Sequence, residues 1–240
     1  HSSWSRPNLE YEMATERFVR SVLDSARAST FLAEFEAYQR GLAPAAAISG
    51  LAQTVLRLTL PGVPDCYQGC ELWNFDLVDP DNRRAVDYAP RQRALEAMQG
   101  GELGPDELRA AWPDGRIKLY LIWRLLTLRR ELPTLFSLGD YCPLEAAGPQ
   151  AERVVAFLRR DGENAVLVAV PRLVFPLLAD DGPLLPCRER WQETQLQCPA
   201  NMAGADLTSV LDESIVRLSA TATLEVADLF ARLPVSAGLI

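Results

Sequence analysis

The sequence predicts an α+β protein with a mainly helical first half, residues 1–138, and an all-β sandwich domain over residues 139–240. Two observations carry this prediction. Before residue 133, apolar side chains recur every three or four positions, which is the spacing of one face of a helix. After residue 141, short runs of β-branched and alternating residues are separated by turn formers, which is typical of strands.

The first helices are predicted from caps and apolar spacing. Asn8 is a suitable N-cap, two glutamates follow in the first turn, and an apolar stripe predicts a helix over residues 8–25. A second, short helix is expected to end near Gly41, and a third to run over residues 44–58. Residues 63–67 are the only strand candidate in this half.

Three further helices are predicted before the change of pattern. Residues 90–98 and 106–112 have the composition of short helices. The clearest helical pattern covers residues 114–132, where leucines and an isoleucine align on one face. Asp114 can cap this helix, and Pro133 is expected to end it because proline lacks a backbone donor.

The second half is predicted to contain short strands joined by turns. Its runs are rich in valine, leucine and alternating polar residues, and Pro-, Asp- and Gly-rich intervals separate them. The expected strands are residues 154–160, 165–172, 193–197, 215–218 and 220–226.

Composition excludes several classes of protein. A net charge of −8 and a pI near 4.8 disfavour a nucleic-acid partner, and no apolar run is a convincing membrane span. The only histidine is His1, so histidine-dependent catalytic and metal sites are disfavoured, and there is no phosphate-binding glycine motif. No cofactor or metal ion is therefore expected. Five cysteines without a C-x-x-C pair favour a reduced, cytoplasmic protein.

Residues 60–88 are predicted to form a binding loop, because they combine turn formers, aromatic residues, acids and paired arginines. Carboxylates, amides and guanidinium groups can bond the polar groups of a ligand, and aromatic faces can pack on a ligand ring. The candidate binding residues are Tyr67, Gln68, Trp73, Asp79, Asp81, Asn82, Arg83 and Arg84. The alternatives are a solvated turn whose arginines pair with neighbouring acids, and a packing role for both aromatic residues.

A family resemblance adds to this interpretation. The sequence PGVPDCYQGCE at residues 61–71 resembles the G-x-P-x-x-Y-x-G-x-E signature at the eighth barrel strand of the α-amylase superfamily, the family 13 glycoside hydrolases. The sequences ELW at 71–73, LVDPDNRR at 77–84 and VDY at 86–88 are similar to the maltooligosyltrehalose synthases of that superfamily. One departure is Ala85, where this family usually has proline.

The resemblance implies that the chain is the C-terminal portion of an isomerase that acts on maltooligosaccharides. The helical half would then be the last helix-strand-helix part of a TIM barrel. The reacting carboxylates would lie on upstream segments, so no catalytic residue is expected in this chain. Length agrees, because a complete barrel needs about 250 residues by itself. A non-catalytic glucan-binding or structural module and another α-amylase-type hydrolase or transferase remain alternatives.

A partial barrel has a structural consequence. Residues 63–67 would lack their neighbouring strands, so we expect them to be irregular or paired across a dimer. Helix faces that evolved to cover a barrel would be exposed, and self-association through these barrel-facing surfaces is expected.

Overall fold

The computed structural model describes residues 1–75, 84–179 and 184–240. These residues group into two compact units, residues 1–44 and residues 45–240.

The first unit begins with helix α1, Leu9–Val22. The Asn8 side chain accepts a hydrogen bond from the backbone N–H of Tyr11 at 3.1 Å, which confirms the predicted N-cap. None of the described residues of α1 is buried. Most of its apolar side chains are exposed, among them Leu9, Met13, Phe18 and Val19.

Helix α2, Ser29–Thr59, is continuous, so the prediction of two helices separated near Gly41 is wrong. Pro44 lies inside the helix, at the division between the two units. Glycine and proline both lower helix propensity, but proline removes only one backbone donor. Good helix formers on both sides continue the helix through these positions. The buried residues of α2 all lie in the second unit.

Four helices follow in the second unit: α3 Tyr88–Gln99, α4 Pro105–Ala110, α5 Arg116–Glu131 and α6 Pro133–Ser137. The predicted cap of α5 is wrong by one position. Gly115, with φ +80°, is the N-cap, and Asp114 accepts a hydrogen bond from the Arg116 N–H at 2.9 Å. A Cβ at Gly115 would lie 2.8 Å from the backbone nitrogen of Trp73, so the close approach of the loop requires glycine here.

The described residues 63–67 form no strand, and Val63 is 97% exposed. This confirms the irregular form expected for them. A strand is stable only when its backbone groups find partners on a neighbour. The strands of the described part begin at Asp140, and none of them pairs with this segment.

Among the described residues after Gly139 there are eight strands and helix α7, Val226–Leu229. The strands are β1 Asp140–Ala147, β2 Val154–Asp161, β3 Asn164–Pro171, β4 Gln195–Gln197, β5 Asp206–Ser209, β6 Ile215–Arg217, β7 Thr223–Glu225 and β8 Ser236–Leu239. Their order is β6-β5-β8-β3-β2-β1-β4-β7, with antiparallel pairing throughout. This arrangement confirms the α+β class. A strand overlaps each of the five predicted ranges, whereas β1, β5 and β8 were not predicted.

The central strands β2 and β3 are buried on both faces. Phe157 and Val168 pack in one core with residues of α2 and α5. Leu158 and Leu167 pack in a second core, to which β4 contributes Leu196. A strand that is buried on both faces has a nearly continuous apolar sequence, as β3 does. Helix gives way to strand between Ser137 and Asp140, but a domain boundary at 138/139 stays a prediction.

Arg159 on β2 joins the helices to the sheet. Its side chain is 1% exposed. The guanidinium donates hydrogen bonds to the carbonyl oxygens of Thr59 at 3.0 Å, Leu135 at 2.9 Å and Gly139 at 2.9 Å. Burial, together with the nearby charge of Arg129, lowers the pKa of this group. The single side chain therefore links the end of α2, helix α6 and the segment that leads into β1.

Candidate functional site

The predicted binding loop connects α2 to α3 within the second unit. Of its candidate residues, Tyr67 is 49% exposed, Gln68 and Arg84 are exposed, and Trp73 is half-buried. The other four candidates, Asp79, Asp81, Asn82 and Arg83, lie outside the described residues. Tyr67 and Gln68 are neighbours at the surface, where both side chains are accessible to a ligand.

Trp73 fixes the loop to the helices. Its indole N–H donates a hydrogen bond to the carbonyl oxygen of Trp112 at 2.8 Å. On another side, an atom of its six-membered ring lies 3.6 Å from where a Cβ at Gly50 would be. The ring also packs against the helical core. These contacts agree with the alternative of a packing role, and stacking of Trp73 on a sugar stays a prediction.

Lys118, the only lysine of the chain, holds the same segment from α5. Its ammonium donates a hydrogen bond to the Leu72 carbonyl oxygen at 3.2 Å and lies 5.9 Å from the centroid of the Trp73 ring. Burial lowers the pKa of this ammonium. Sequence reasoning missed this contact, although the chain has no other lysine and Lys118 could have been singled out for that reason.

Arg57 adds a second positive charge beside the loop. Its Nη1 lies 4.0 Å from the Sγ of Cys70. Its Nε and Nη2 are buried and have no hydrogen-bond partner among the described residues. The cations of Arg57 and Lys118 therefore lie beside the loop, whose own acids within the described residues are Asp65, Glu71 and Asp87.

Glu71 and Asp87 are both engaged in holding the loop. An oxygen of Glu71 accepts a hydrogen bond from the Nε of Arg91 at 3.0 Å, as part of an ion pair. The carboxylate of Asp87 accepts a hydrogen bond from the Ala89 N–H at 3.1 Å and so caps α3. These bonds favour bracing over acid–base chemistry for the two acids. Sequence reasoning did not identify Arg91 as the partner of Glu71.

Gly69 brings the two sides of the loop together. Its φ is +87°, and a Cβ at this position would lie 3.1 Å from Cγ2 of Val86. A side chain at position 69 would therefore require the backbone or Val86 to move. The second glycine of the PGVPDCYQGCE sequence, Gly69, is thus explained by backbone conformation and by close packing.

Replacing Gly69 with alanine is expected to lower the free energy of unfolding by about 1–3 kcal/mol, because a Cβ would strain the left-handed backbone and crowd Val86. Chemical denaturation of the chain measures this. Gly41→Ala is the matched control, since Gly41 is helical and a Cβ there meets nothing within 4 Å. The control is expected to raise stability by about 0.5–1 kcal/mol. Equal effects of the two substitutions would contradict the account of Gly69.

Comparison with protein-family models gives no match. Two curated Mycobacterium tuberculosis proteins, from strains CDC 1551 and H37Rv, carry the name maltooligosyl trehalose synthase as a provisional assignment. Each is 42% identical to this chain over 172 residues, which is 72% of this chain and 20% of the relative. The chain therefore spans about a fifth of the length of these relatives.

Solved structures of maltooligosyltrehalose synthase from Arthrobacter ramosus are also similar. The enzyme matches with a TM-score of 0.72 and 30% identity, and its S44P mutant with 0.73 and 31%; each match covers 100% of this chain and 28% of that chain. A further maltooligosyl trehalose synthase structure, at 24% identity and a TM-score of 0.68, shares the fold. Sequence and structure together confirm the resemblance that the loop residues predicted.

Proposed function

We propose that this chain is the C-terminal part of a maltooligosyltrehalose synthase, a (1→4)-α-D-glucan 1-α-D-glucosylmutase. Such an enzyme converts the reducing-end α-1,4 linkage of a maltooligosaccharide into an α,α-1,1 linkage, which is a step of trehalose biosynthesis. The observation that carries the proposal is the match to the Arthrobacter enzyme, which extends over 100% of this chain at 30% identity. The remaining length of that enzyme, outside the matched 28%, is where we place the reacting groups.

This part of the enzyme would shape the sugar site and leave the chemistry to the upstream part. Retaining enzymes of this type need two carboxyl groups roughly 5–5.5 Å apart, one as nucleophile and one as acid/base. Glu71 and Asp87 are engaged in structural bonds, which supports the assignment of these roles to residues outside this chain. The upstream coding sequence tests this assignment. We expect it to encode the three carboxylates of the α-amylase superfamily; their absence would favour a non-catalytic glucan-binding module.

We propose that the loop residues bind the maltooligosaccharide. Tyr67 and Gln68 offer an exposed aromatic ring and an exposed amide, which suit a pyranose ring and its hydroxyls. Arg84, which follows later in the same loop sequence, is also exposed. Asp79, Asp81, Asn82 and Arg83 would supply charged and polar bonds from the segment between them, and Trp73 would contribute an edge of its ring.

Replacing Asp79 or Arg83 with alanine in the complete enzyme is expected to raise KM about tenfold to a hundredfold. The reason is that losing a charge-assisted hydrogen bond costs on the order of 1.5 to 3 kcal/mol. Stability should change by less than about 0.5 kcal/mol, as for most surface substitutions. Steady-state kinetics and thermal melting separate the two effects. Glu163→Ala, which removes an exposed carboxylate from the β2–β3 turn, is the control. Normal kinetics with early melting would assign both residues a structural role.

We propose a cytoplasmic location for the enzyme, with neither a nucleic-acid nor a membrane partner. The cysteines, Cys66, Cys70, Cys142, Cys187 and Cys198, are all free, which supports a reducing compartment. The net charge of −8 supports the absence of a polyanionic partner. In the described part of the chain, no helix has both the length and the hydropathy needed to cross a membrane.

The isolated chain is expected to self-associate through the exposed apolar side chains of α1, because exposed apolar patches favour association. Met13, Phe18 and Val19 are 59%, 68% and 47% exposed. Sedimentation velocity should show dimers or larger species that shift toward monomer in a Met13→Glu, Phe18→Glu variant. Arg17→Glu, at an exposed polar position of α1, is the control. A chain that is monomeric at high concentration would contradict the expectation.

A further inference from the structure

A groove lies between the second half of α5 and the β5–β6 hairpin, within the second unit. Its volume is about 380 Å³, which is within the range of about 300–1,000 Å³ that is usual for ligand sites. Six aromatic and polar side chains are among those that line it, and we call them together the Trp123 groove. They are Trp123, Arg124, Thr127 and Glu131 of α5, and Thr208 and Glu213 of the hairpin.

Several groups in the groove are not used for hydrogen bonding within the protein. Trp123, Thr127 and Glu131 are spaced four residues apart, so they lie on one face of α5. The groups without a hydrogen bond or ion pair in the described part of the chain are the Trp123 indole N–H, the Thr127 and Thr208 hydroxyls and the Glu131 carboxylate. An indole N–H donates, a carboxylate accepts, and a hydroxyl does both. The hydroxyl groups of a sugar require this combination of donors and acceptors.

Arg124 holds the helix side of the groove to the hairpin. Its Nε donates a hydrogen bond to the Val210 carbonyl oxygen at 2.7 Å, and its Nη1 lies 3.7 Å from a carboxylate oxygen of Glu213. The guanidinium carbon lies 5.7 Å from the centroid of the Trp123 ring, within the range of a cation–π contact. The ring is therefore held in place beside the hairpin, and an ordered aromatic ring can pack on the C–H face of a pyranose.

Local chain stability does not explain the two acids of the groove. Glu131 is the last residue of α5, where the helix dipole disfavours a negative charge. Glu213 has a φ of +60°, a left-handed conformation that glycine and asparagine adopt more readily than glutamate. Both carboxylates line the groove although their positions in the backbone favour other residues, which supports a role for them in binding a ligand.

We propose that the Trp123 groove is a second binding site, for a neutral oligosaccharide chain, separate from the loop at residues 60–88. The charges of the groove favour a neutral ligand. The cation of Arg124 is already paired with Glu213, and the free carboxylate of Glu131 would repel an anion. The oligosaccharide is an α-1,4-glucan, and this choice rests on the proposed function.

The groove and the loop are served by different parts of α5. Lys118 contacts the loop, and Trp123 and Glu131 lie about 8 and 20 Å farther along the helix at a rise of about 1.5 Å per residue. A long glucan that occupies the groove is thus held on the same molecule as the loop. Two such sites raise the apparent affinity for a long chain above that of either site alone.

The test measures two properties of the complete enzyme, its binding to amylopectin in affinity electrophoresis and its conversion of maltopentaose. Trp123→Ala and Glu131→Ala are each expected to raise the Kd for amylopectin about tenfold, as the loss of a central contact does. The KM and kcat for maltopentaose should stay within about twofold, because the groove holds none of the reacting groups. Leu126→Ala is the matched control, since Leu126 is an exposed residue of α5 that does not line the groove. It should leave both properties unchanged.

Two exposed positions keep the test decisive if Trp123→Ala does not fold. Trp123 packs against the Tyr120 ring, with 5.8 Å between the ring centroids, so its removal also affects packing. Glu131→Ala and Thr208→Ala change exposed side chains only, and each should still weaken amylopectin binding.

The outcomes separate this inference from the proposed function. Amylopectin binding that is absent in the unaltered enzyme, or unchanged in the Glu131 and Thr208 variants, would overturn the inference alone. An equal rise in the KM for maltopentaose and in the Kd for amylopectin would make the groove part of the catalytic site, and would also overturn it. An unaltered enzyme that forms no trehalose-ended product would remove the proposed function, whereas loss of its amylopectin binding in the groove variants would still support the second site.

Discussion

The isolated 240-residue chain is expected to convert no maltooligosaccharide. Retaining catalysis requires a nucleophilic carboxylate and a second carboxyl group that transfers the proton, and removal of either is severely damaging. We assign both to the upstream part of the enzyme. Within the described part of the loop, Glu71 pairs with Arg91 and Asp87 caps α3, so both of these acids hold structure instead.

The measurement is chromatography of maltopentaose after prolonged incubation with the purified chain. A buffer blank sets the baseline, and the complete enzyme under the same conditions is the positive control. We expect the chain to match the blank. Turnover by the chain, in a preparation free of the complete enzyme, would show that it holds its own reacting carboxylates.

Replacing Arg159 with methionine is expected to lower the free energy of unfolding by about 2–5 kcal/mol, because each buried carbonyl oxygen left without its donor costs about 1–3 kcal/mol. The guanidinium donates to the carbonyl oxygens of Thr59, Leu135 and Gly139. The oxygens of Thr59 and Gly139 would lose this donor in the protein interior, whereas that of Leu135 would keep the bond from the Gly139 N–H. Methionine fills a similar volume, so the loss would come from unsatisfied carbonyls more than from a cavity. The helices and the sheet should lose stability together, because the residue bonds to both.

Arg160→Met is the matched control. Arg160 is the next residue of β2, is only half-buried, and makes no side-chain hydrogen bond or ion pair within the described residues. We expect its substitution to change stability by less than about 0.5 kcal/mol. Urea denaturation, followed by circular dichroism, measures both variants. A loss below about 1 kcal/mol for Arg159→Met would mean that the carbonyls left without Arg159 find other partners, and the linking role would be wrong.

The sequence predicts a strand well where the strand is buried and its residues are apolar or β-branched. β2 and β3 are rich in valine and leucine because both of their faces are buried, and the sequence alone shows this. The last strand, β8, was missed, since Ser236, Ala237 and Gly238 have weak strand preference. These residues form a strand because they pair with β3, where Ala237 lies opposite Val168. Such pairing is a tertiary effect that local sequence does not contain.

Helix ends were predicted less well than helix positions. Gly41 and Pro44 satisfy every local rule for a break, yet α2 passes through both. Asp114 satisfies the rule for an N-cap, but the chain needs Gly115 at that position to let the loop approach. In both cases a local preference worth about 1–3 kcal/mol gives way to the surrounding helix or to packing.

The candidate site, like the fold, was predictable only in part. Loop composition was enough to select Tyr67, Gln68 and the charged residues that follow. The contacts that hold the loop were not predictable, because they join residues far apart in the chain. Arg91 and Glu71 are 20 positions apart, Lys118 and Leu72 are 46, and Arg159 and Thr59 are 100. Periodicity and turn chemistry report on neighbours within a few positions only.

Product analysis of the complete enzyme with maltopentaose tests the central claim most directly. The account predicts a product of unchanged size that has lost its reducing end, because the terminal linkage becomes α,α-1,1. A reducing-sugar assay together with mass spectrometry detects this change. Accumulation of glucose and shorter maltooligosaccharides, with the reducing ends retained, would contradict the claim and assign the chain to a hydrolase or a different transferase of the α-amylase superfamily.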